Sequence, residues 1–369
     1  MSDATPAHPL AGHGWTPQLD ELFAPLHDAG LLPGRISRVD RGRCDVVVAD
    51  PGSGPDSDTG SGLRTLRADT AAVHDPDPVR RPCTGDWAAV DPAASPLPVL
   101  AALLPRRTAV VRVTTGGRSE GQVLAANVDT VLIAVSLAAE PDLGRIERFL
   151  ALAWESGAQP LVALTKADLA GDAEHIRADV AAVAPGVTVL PVSAVTGGNM
   201  EVLAACLSGS TALVGQSGAG KSTLVNTLAG AELMTVRHVR DRDGKGRHTT
   251  TTRELIPLPG GGVLIDTPGL RGVGLYGGEG LGQAFSDVEQ LAAECRFDDC
   301  AHGTEPGCAV NAALADGTLP ERRWDSYRRL RRENAWIEAR SDARLAAERR
   351  RQWKVLQKSV RDSGVIRRR

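Results

Sequence analysis

One stretch limits this chain more than any other. Gly215-Gln216-Ser217-Gly218-Ala219-Gly220-Lys221-Ser222-Thr223 follows the apolar run Thr211 to Val214 and leads into a helical pattern, Leu224 to Ala229. A glycine-rich loop between a buried strand and a helix closes backbone N–H groups around phosphates. A lysine there reaches the β and γ phosphates, and the adjoining hydroxyl ligates Mg²⁺. The helix N-terminus adds partial positive charge. The full spelling and both flanks agree, so the pattern predicts an α/β domain that holds a nucleoside triphosphate with Mg²⁺ on Ser222.

The base is read upstream. Leu161 to Leu164 forms a strand pattern that runs into Thr165-Lys166-Ala167-Asp168, a tetrapeptide similar to the guanine-reading Asn-Lys-x-Asp loop of GTPases. A carboxylate at Asp168 accepts from both N1–H and the exocyclic amine of guanine, whereas adenine offers an acceptor at the ring position. Lys166 is expected to lay its methylene stem along the base. Thr165 stands where Asn is usual, which removes an amide and one or two hydrogen bonds, each worth on the order of 1 kcal/mol. After a further strand pattern, Val187 to Val192, Ser193-Ala194 is similar to the loop that backs the guanine.

Downstream, Gly262 to Asp266 is a strand pattern, and Asp266-Thr267-Pro268-Gly269 matches the Asp-x-x-Gly switch that holds Mg²⁺ and senses the γ-phosphate. Between it and the P-loop lie a basic Gly-rich segment, residues 244 to 248, and the run Thr249 to Thr252. One of those hydroxyls, assigned to Thr250, is the expected second ligand for Mg²⁺. Leu270 occupies the position where Ras-like enzymes keep a water-orienting Gln, so another group must orient the nucleophile. His248 is the candidate, since an imidazole accepts or orients a proton near neutral pH; Lys221 is the other catalytic candidate. The guanine-reading elements precede the P-loop, an order that predicts a circularly permuted G domain.

That order, with the flanking segments Gly34 to Val48, Thr84 to Val90 and Gln122 to Asp129, resembles the ribosome small-subunit-dependent GTPase A family of bacteria over about residues 34 to 340. The resemblance implies a doubly wound, mainly parallel G domain between an N-terminal OB-type β-barrel and a C-terminal helical zinc domain. It implies GTP hydrolysis in response to the 30S subunit, late in that particle's assembly, and contact with 16S rRNA. The expected boundaries are a disordered leader over 1–33, the barrel over 34–98, the G domain over 99–278 and the zinc domain with a basic tail over 279–369.

Six cysteines are too few for a disulfide scaffold in 369 residues, and four metal-type ligands lie close together: Cys295, Cys300, His302 and Cys308. Three thiolates and an imidazole would close a tetrahedral structural Zn²⁺ site, one ion per chain, and their spacing matches the zinc motif of the resembled family. Cys44, Cys83 and Cys206 sit on apolar patterns and read as buried.

The net charge of −3 conceals an asymmetry. Residues 322 to 369 hold 17 Lys or Arg against 6 Asp or Glu, so the remainder carries fourteen net negative charges. A basic tail on an acidic body points to a polyanion such as rRNA, with Trp324, Leu330, Trp336, Ile337, Leu345, Trp353 and Leu356 packing one face on the zinc module. Arg35, Arg38, Arg41 and Arg43 add positive charge to the barrel, a fold that commonly meets nucleic acid. Pro, Gly, Ser and Asp crowd residues 1–33 and 51–62, which read as disorder and a flexible loop. With no apolar run near ~18 residues and no signal pattern, neither membrane insertion nor secretion is indicated. A cytoplasmic monomer that binds GTP and GDP is expected. Two alternatives remain: an RNA-binding checkpoint in which nucleotide only switches affinity, and an adenine-specific ATPase suggested by Thr165. The chain passes from the switch at Gly269 into the zinc module within about 30 residues, which makes that module the expected responder to nucleotide state.

Overall fold

The computed structural model describes residues 8–49, 62–113, 121–234, 253–270 and 274–337. His248, Thr250, their neighbours in 235–252 and the tail beyond 337 lie outside these residues.

The first five strands are β1 (Leu32–Asp40), β2 (Arg43–Ala49), β3 (Leu63–Asp69), β4 (Trp87–Asp91) and β5 (Val99–Leu103). They pair in the order β1-β2-β3-β5-β4, and β4 returns to β1, closing a barrel. Alternating burial of Cys44, Val46 and Val48 on β2 fills its interior with Ile36, Ala68, Ala88, Val90 and Leu100.

The segment expected to be a disordered leader is instead folded from residue 8 onward. Helix α1 (Pro17–His27), with Pro at its first turn, and the short turn before it bury Leu10, Trp15 and Phe23. Trp15 meets Trp87 edge-on at 5.0 Å and Phe23 at 6.0 Å. Composition concealed this because three large apolar side chains, spaced among Pro, Ala and Gly, are enough to cover the outer face of β4.

A hairpin, β6 (Ala109–Val113) with β7 (Gly121–Ala126), leads into the α/β layer. There follow β8 (Thr130–Ser136), α2 (Leu143–Glu155), β9 (Gln159–Thr165), α3 (Ala173–Ala182), β10 (Thr188–Val192), α4 (Met200–Cys206), β11 (Ser210–Gly215), α5 (Lys221–Ala229), β12 (Glu254–Pro257) and β13 (Val263–Asp266). The strand order is β10-β9-β8-β11-β13-β12; all pairs are parallel except β12 with β13. Near-continuous apolar strands such as β8 and β9 are what a sheet covered on both faces requires. The chain winds outward from β8 to β10 and then returns to place β11 beside β8. The carboxyl ends of β9, β10, β11 and β13 therefore share one edge, where α/β sheets bind ligands.

Helices α6 (Glu279–Ala284), α7 (Ser286–Ala293), α8 (Ala309–Asp316) and α9 (321–337) complete the described chain. Trp324, Tyr327, Leu330 and Ile337 of α9 are buried as its pattern predicts, but Trp336 is 56% exposed because it lies on the opposite side of the helix. Cys44 and Cys83 are buried, whereas Cys206, the last residue of α4, is exposed. Arg35 also departs from expectation. Its side chain is fully buried, so it offers no charge to RNA.

Candidate functional site

Gly215 ends β11 with φ 152°, and a Cβ there would lie 2.5 Å from the Ala134 carbonyl. Gly218 and Gly220 follow at φ 81° and 79°, left-handed values that glycine adopts without strain. Lys221 opens α5, and its ammonium donates to the carbonyls of Gly215 at 3.1 Å and Gln216 at 2.8 Å. Ser222 and Thr223 occupy the next two helical positions, and Ser217 and Gly218 are exposed at the mouth of the loop.

The guanine-reading elements arrive at the same edge. Thr165 ends β9 and is paired with Ser136 and Val192 on its two neighbours. Its hydroxyl donates to the Ala219 carbonyl at 2.8 Å, and Lys166 donates to the Gly218 carbonyl at 3.0 Å. Two P-loop carbonyls are thereby held toward the guanine loop. The amides of Ala219 and Gly220, in the same peptide planes, are turned away from it toward the phosphate space. Thr165 thus ties the end of β9 to the P-loop through its hydroxyl, without the amide usual at that position. Asp168 is exposed and oriented by Ser193, whose hydroxyl donates to its Oδ1 at 2.6 Å and accepts from Thr196 N at 3.1 Å. Ala167 and Ala194 lie beside them, half-buried.

Asp266 ends β13 in register with Leu213, two residues before the P-loop. It is 2% exposed, and its Oδ1 has no hydrogen-bond partner among the described residues. Burial lifts its carboxyl to about 6, against the opposing pull of Lys221; burial likewise lowers Lys221 to about 8. An orphaned buried carboxylate beside a buried ammonium fits a site built for a divalent cation and phosphates. Thr267, which sequence reasoning passed over, donates to Leu213 O at 2.6 Å and fixes the strand end. Gly269 sits so close to the P-loop that a Cβ would lie 3.0 Å from Ser217 N, and Leu270 N donates to Gly215 O at 3.0 Å. Leu270 itself is buried in the core, so its side chain takes no part in orienting water.

At the far end, the ligand atoms of Cys295, Cys300, His302 and Cys308 lie within 4.8 Å of one another. Cys295 Sγ is 3.6 Å from His302 Nδ1 and 3.9 Å from Cys308 Sγ. A tetrahedral Zn²⁺ with bonds of about 2.3 Å to sulfur has edges of about 3.8 Å, so the spacing fits. His302 takes φ 57° to turn inward, and Glu305 holds the loop by accepting from Ala301 N and Gly303 N.

Fold and site together define a circularly permuted P-loop GTPase. The model for the RsgA GTPase family matches residues 103–276. "Small ribosomal subunit biogenesis GTPase RsgA" of Streptomyces avermitilis is 61% identical over 358 residues, 96% of this chain and 93% of that protein. The protein of the same name from Opitutus terrae is 41% identical, over 95% of this chain and 97% of its own. The chain belongs to the RsgA GTPase family. Among solved structures, YjeQ from Thermotoga maritima (TM-score 0.57, 23% identity, 83% of this chain and 99% of that one) and YloQ, a circularly permuted GTPase (0.53, 24%, 85% and 96%), share the fold.

Proposed function

We propose that this chain hydrolyses GTP and acts in biogenesis of the small ribosomal subunit, with its turnover stimulated by that particle. The carrying observation is the convergence of Asp168 with its Ser193 brace, the P-loop amides and the unsatisfied Asp266 on one edge of one sheet. Asp168 reads guanine, Lys221 neutralises charge developing on the transferred phosphoryl group, and the N–H groups of residues 216–221 hold the phosphate oxygens. Ser222 and Asp266 would hold Mg²⁺, joined by Thr250; the ion, when bound, shields the phosphate charge from an attacking water. His248 keeps its proposed role of orienting that water. Cys295, Cys300, His302 and Cys308 would bind one structural Zn²⁺, which supplies fold rather than chemistry.

For the partner, α9 exposes Arg328, Arg329, Arg331 and Arg332 together with Trp336, and the sequence beyond it stays basic. Such a helix suits phosphates of 16S rRNA, with an aromatic for base stacking. No helix of the described residues is long and apolar enough to cross a membrane, and the reading places a monomer in the cytoplasm.

Sedimentation with purified 30S subunits tests the proposal. A non-hydrolysable GTP analogue should tighten binding at least ~5-fold over GDP, and replacing the four arginines with Gln should flatten its salt dependence. Equal sedimentation with both nucleotides and with the variant would contradict it.

A further inference from the structure

Strand β12 is the outermost strand of the G-domain sheet, and its four residues would leave a row of unpaired backbone groups on its free side. In this chain the barrel meets that side at its first residue: β12 pairs with β1, antiparallel, through Arg38 opposite Glu254. The barrel sits where a partner's strand would otherwise be added to an exposed edge.

The register gives the pairing its meaning. Asp266, the switch aspartate, is directly opposite Glu254; Glu254 is opposite Arg38; Arg38 is opposite Asp45, and Asp45 is opposite Arg67. On the other side Asp266 is in register with Leu213 of the P-loop strand. A single rung of the sheet therefore crosses from the P-loop strand through the switch hairpin to the middle of the barrel, where Arg67 donates to Asp45 at 2.7 Å and to Asp40 at 2.5 Å. The same hairpin is held from the barrel side at two more points. Thr84 donates to the Arg253 carbonyl at 3.3 Å, and Gly85, at φ 95°, approaches so closely that a Cβ would lie 2.8 Å from Ile265 Cδ1.

From this we infer that the barrel is a built-in effector of the switch hairpin, so that nucleotide state alters the barrel through the Asp266–Glu254–Arg38 rung. The inference rests on the reading of the GTP site. When phosphate and cation engage the end of β13, β12 moves with it, because the two strands pair along their whole length. Strand β1 is tied to β12 at the one pair Arg38–Glu254, and the Thr84 and Gly85 contacts to the same hairpin hold the barrel against it, so a displaced β12 carries β1 with it.

Hydrogen–deuterium exchange on the full chain tests this without ribosomes, comparing Mg²⁺-GDP with a Mg²⁺-bound non-hydrolysable GTP analogue. The P-loop, β13 and β12 amides should change protection, and residues 32–40 should change with them, at least ~3-fold. Arg38→Glu sets a like charge opposite Glu254 and should abolish the response in 32–40 while β13 and the P-loop still respond. Adding Glu254→Arg to that variant should restore it, which a general loss of barrel stability would not allow. A P-loop and β13 that respond while 32–40 do not, or a barrel response indifferent to Arg38→Glu, would overturn the inference. So would a response that the paired substitution fails to restore. Silence everywhere, P-loop included, would overturn the GTP site and this inference with it.

Discussion

The two modules flanking the G domain are fastened to it by different physics. The barrel is joined mainly through backbone and uncharged partners, with one buried ion pair, Asp86 with Arg106, on the segment that leads from β5 to β6. Besides the β1–β12 ladder, Arg35 is buried between the barrel and the G domain, donating to Gly85 O, Asn127 O at 3.0 Å, Ser210 Oγ at 2.7 Å and the His13 carbonyl, with Trp87 4.8 Å from its guanidinium. Among the described residues no carboxylate hydrogen-bonds to it, and burial pulls it down to about 10 against the opposing pull of Asp129 and Asp86. The C-terminal module, which carries the Cys/His cluster, is joined by ion pairs. Arg323, 2% exposed, donates to Glu147 at 2.9 Å, Asp287 at 2.7 Å and the carbonyls of Val183 and Ala284, over the Phe285 ring at 4.2 Å. Arg322 shares Glu147, and Arg148 pairs with Glu333. A ladder carries displacement from strand to strand; a cluster of charges holds position. On the inference above, the barrel junction would carry the nucleotide response and the C-terminal junction would serve as anchorage, whereas the short connection from Gly269 favours the C-terminal module as responder.

The largest effect should come from the metal. Cys308→Ala removes one ligand and frees the α8 N-terminus, where Cys308 Sγ accepts from Asn311 N. Structural Zn²⁺ supplies on the order of 10 kcal/mol of folding free energy, so the variant should purify without zinc and lose protease resistance over 279–337. Its GTP affinity, by calorimetry, should stay within about 3-fold.

Next comes Arg323→Met, which leaves Glu147 buried with only Arg322 to compensate and should cost about 3 kcal/mol in urea unfolding. Arg35→Met leaves carbonyls rather than a charge behind, and should cost less, about 2 kcal/mol. If the Arg35 variant proves the weaker of the two, the neutral junction is the tighter one and the comparison fails. The smallest effect lies inside the G domain. Thr165→Val deletes the hydroxyl bond to Ala219 and should weaken GDP binding by about 5-fold, or ~1 kcal/mol, with Thr165→Ser restoring it.

Much of the candidate nucleotide site was legible in the sequence, because the phosphate loop, the Asp168 loop and the Asp-x-x-Gly turn are spelled by adjacent residues whose chemistry is local, and the fold brings them to one edge of the sheet. The Cys/His cluster that could hold a metal was legible for the same reason, all four residues lying between 295 and 308. What escaped was long-range. Arg35 meets Ser210 across 175 positions and Arg323 meets Glu147 across 176, and nothing near either residue distinguishes a buried staple from a surface charge. The leader was misread because disorder is inferred from average composition, while its packing depends on three particular side chains. Thr165 was read as a loss because its hydroxyl partner, Ala219, comes into view only once β9 and β11 are set in register with β8.

The most direct test of the account is GTP hydrolysis by the full chain with and without purified 30S subunits, with ATP as competitor. Turnover should be slow alone and at least ~10-fold faster with subunits, should fall when Asp168 is replaced by Asn, and should be indifferent to excess ATP. A rate unchanged by subunits, or inhibited equally by ATP and GTP analogues, would contradict it.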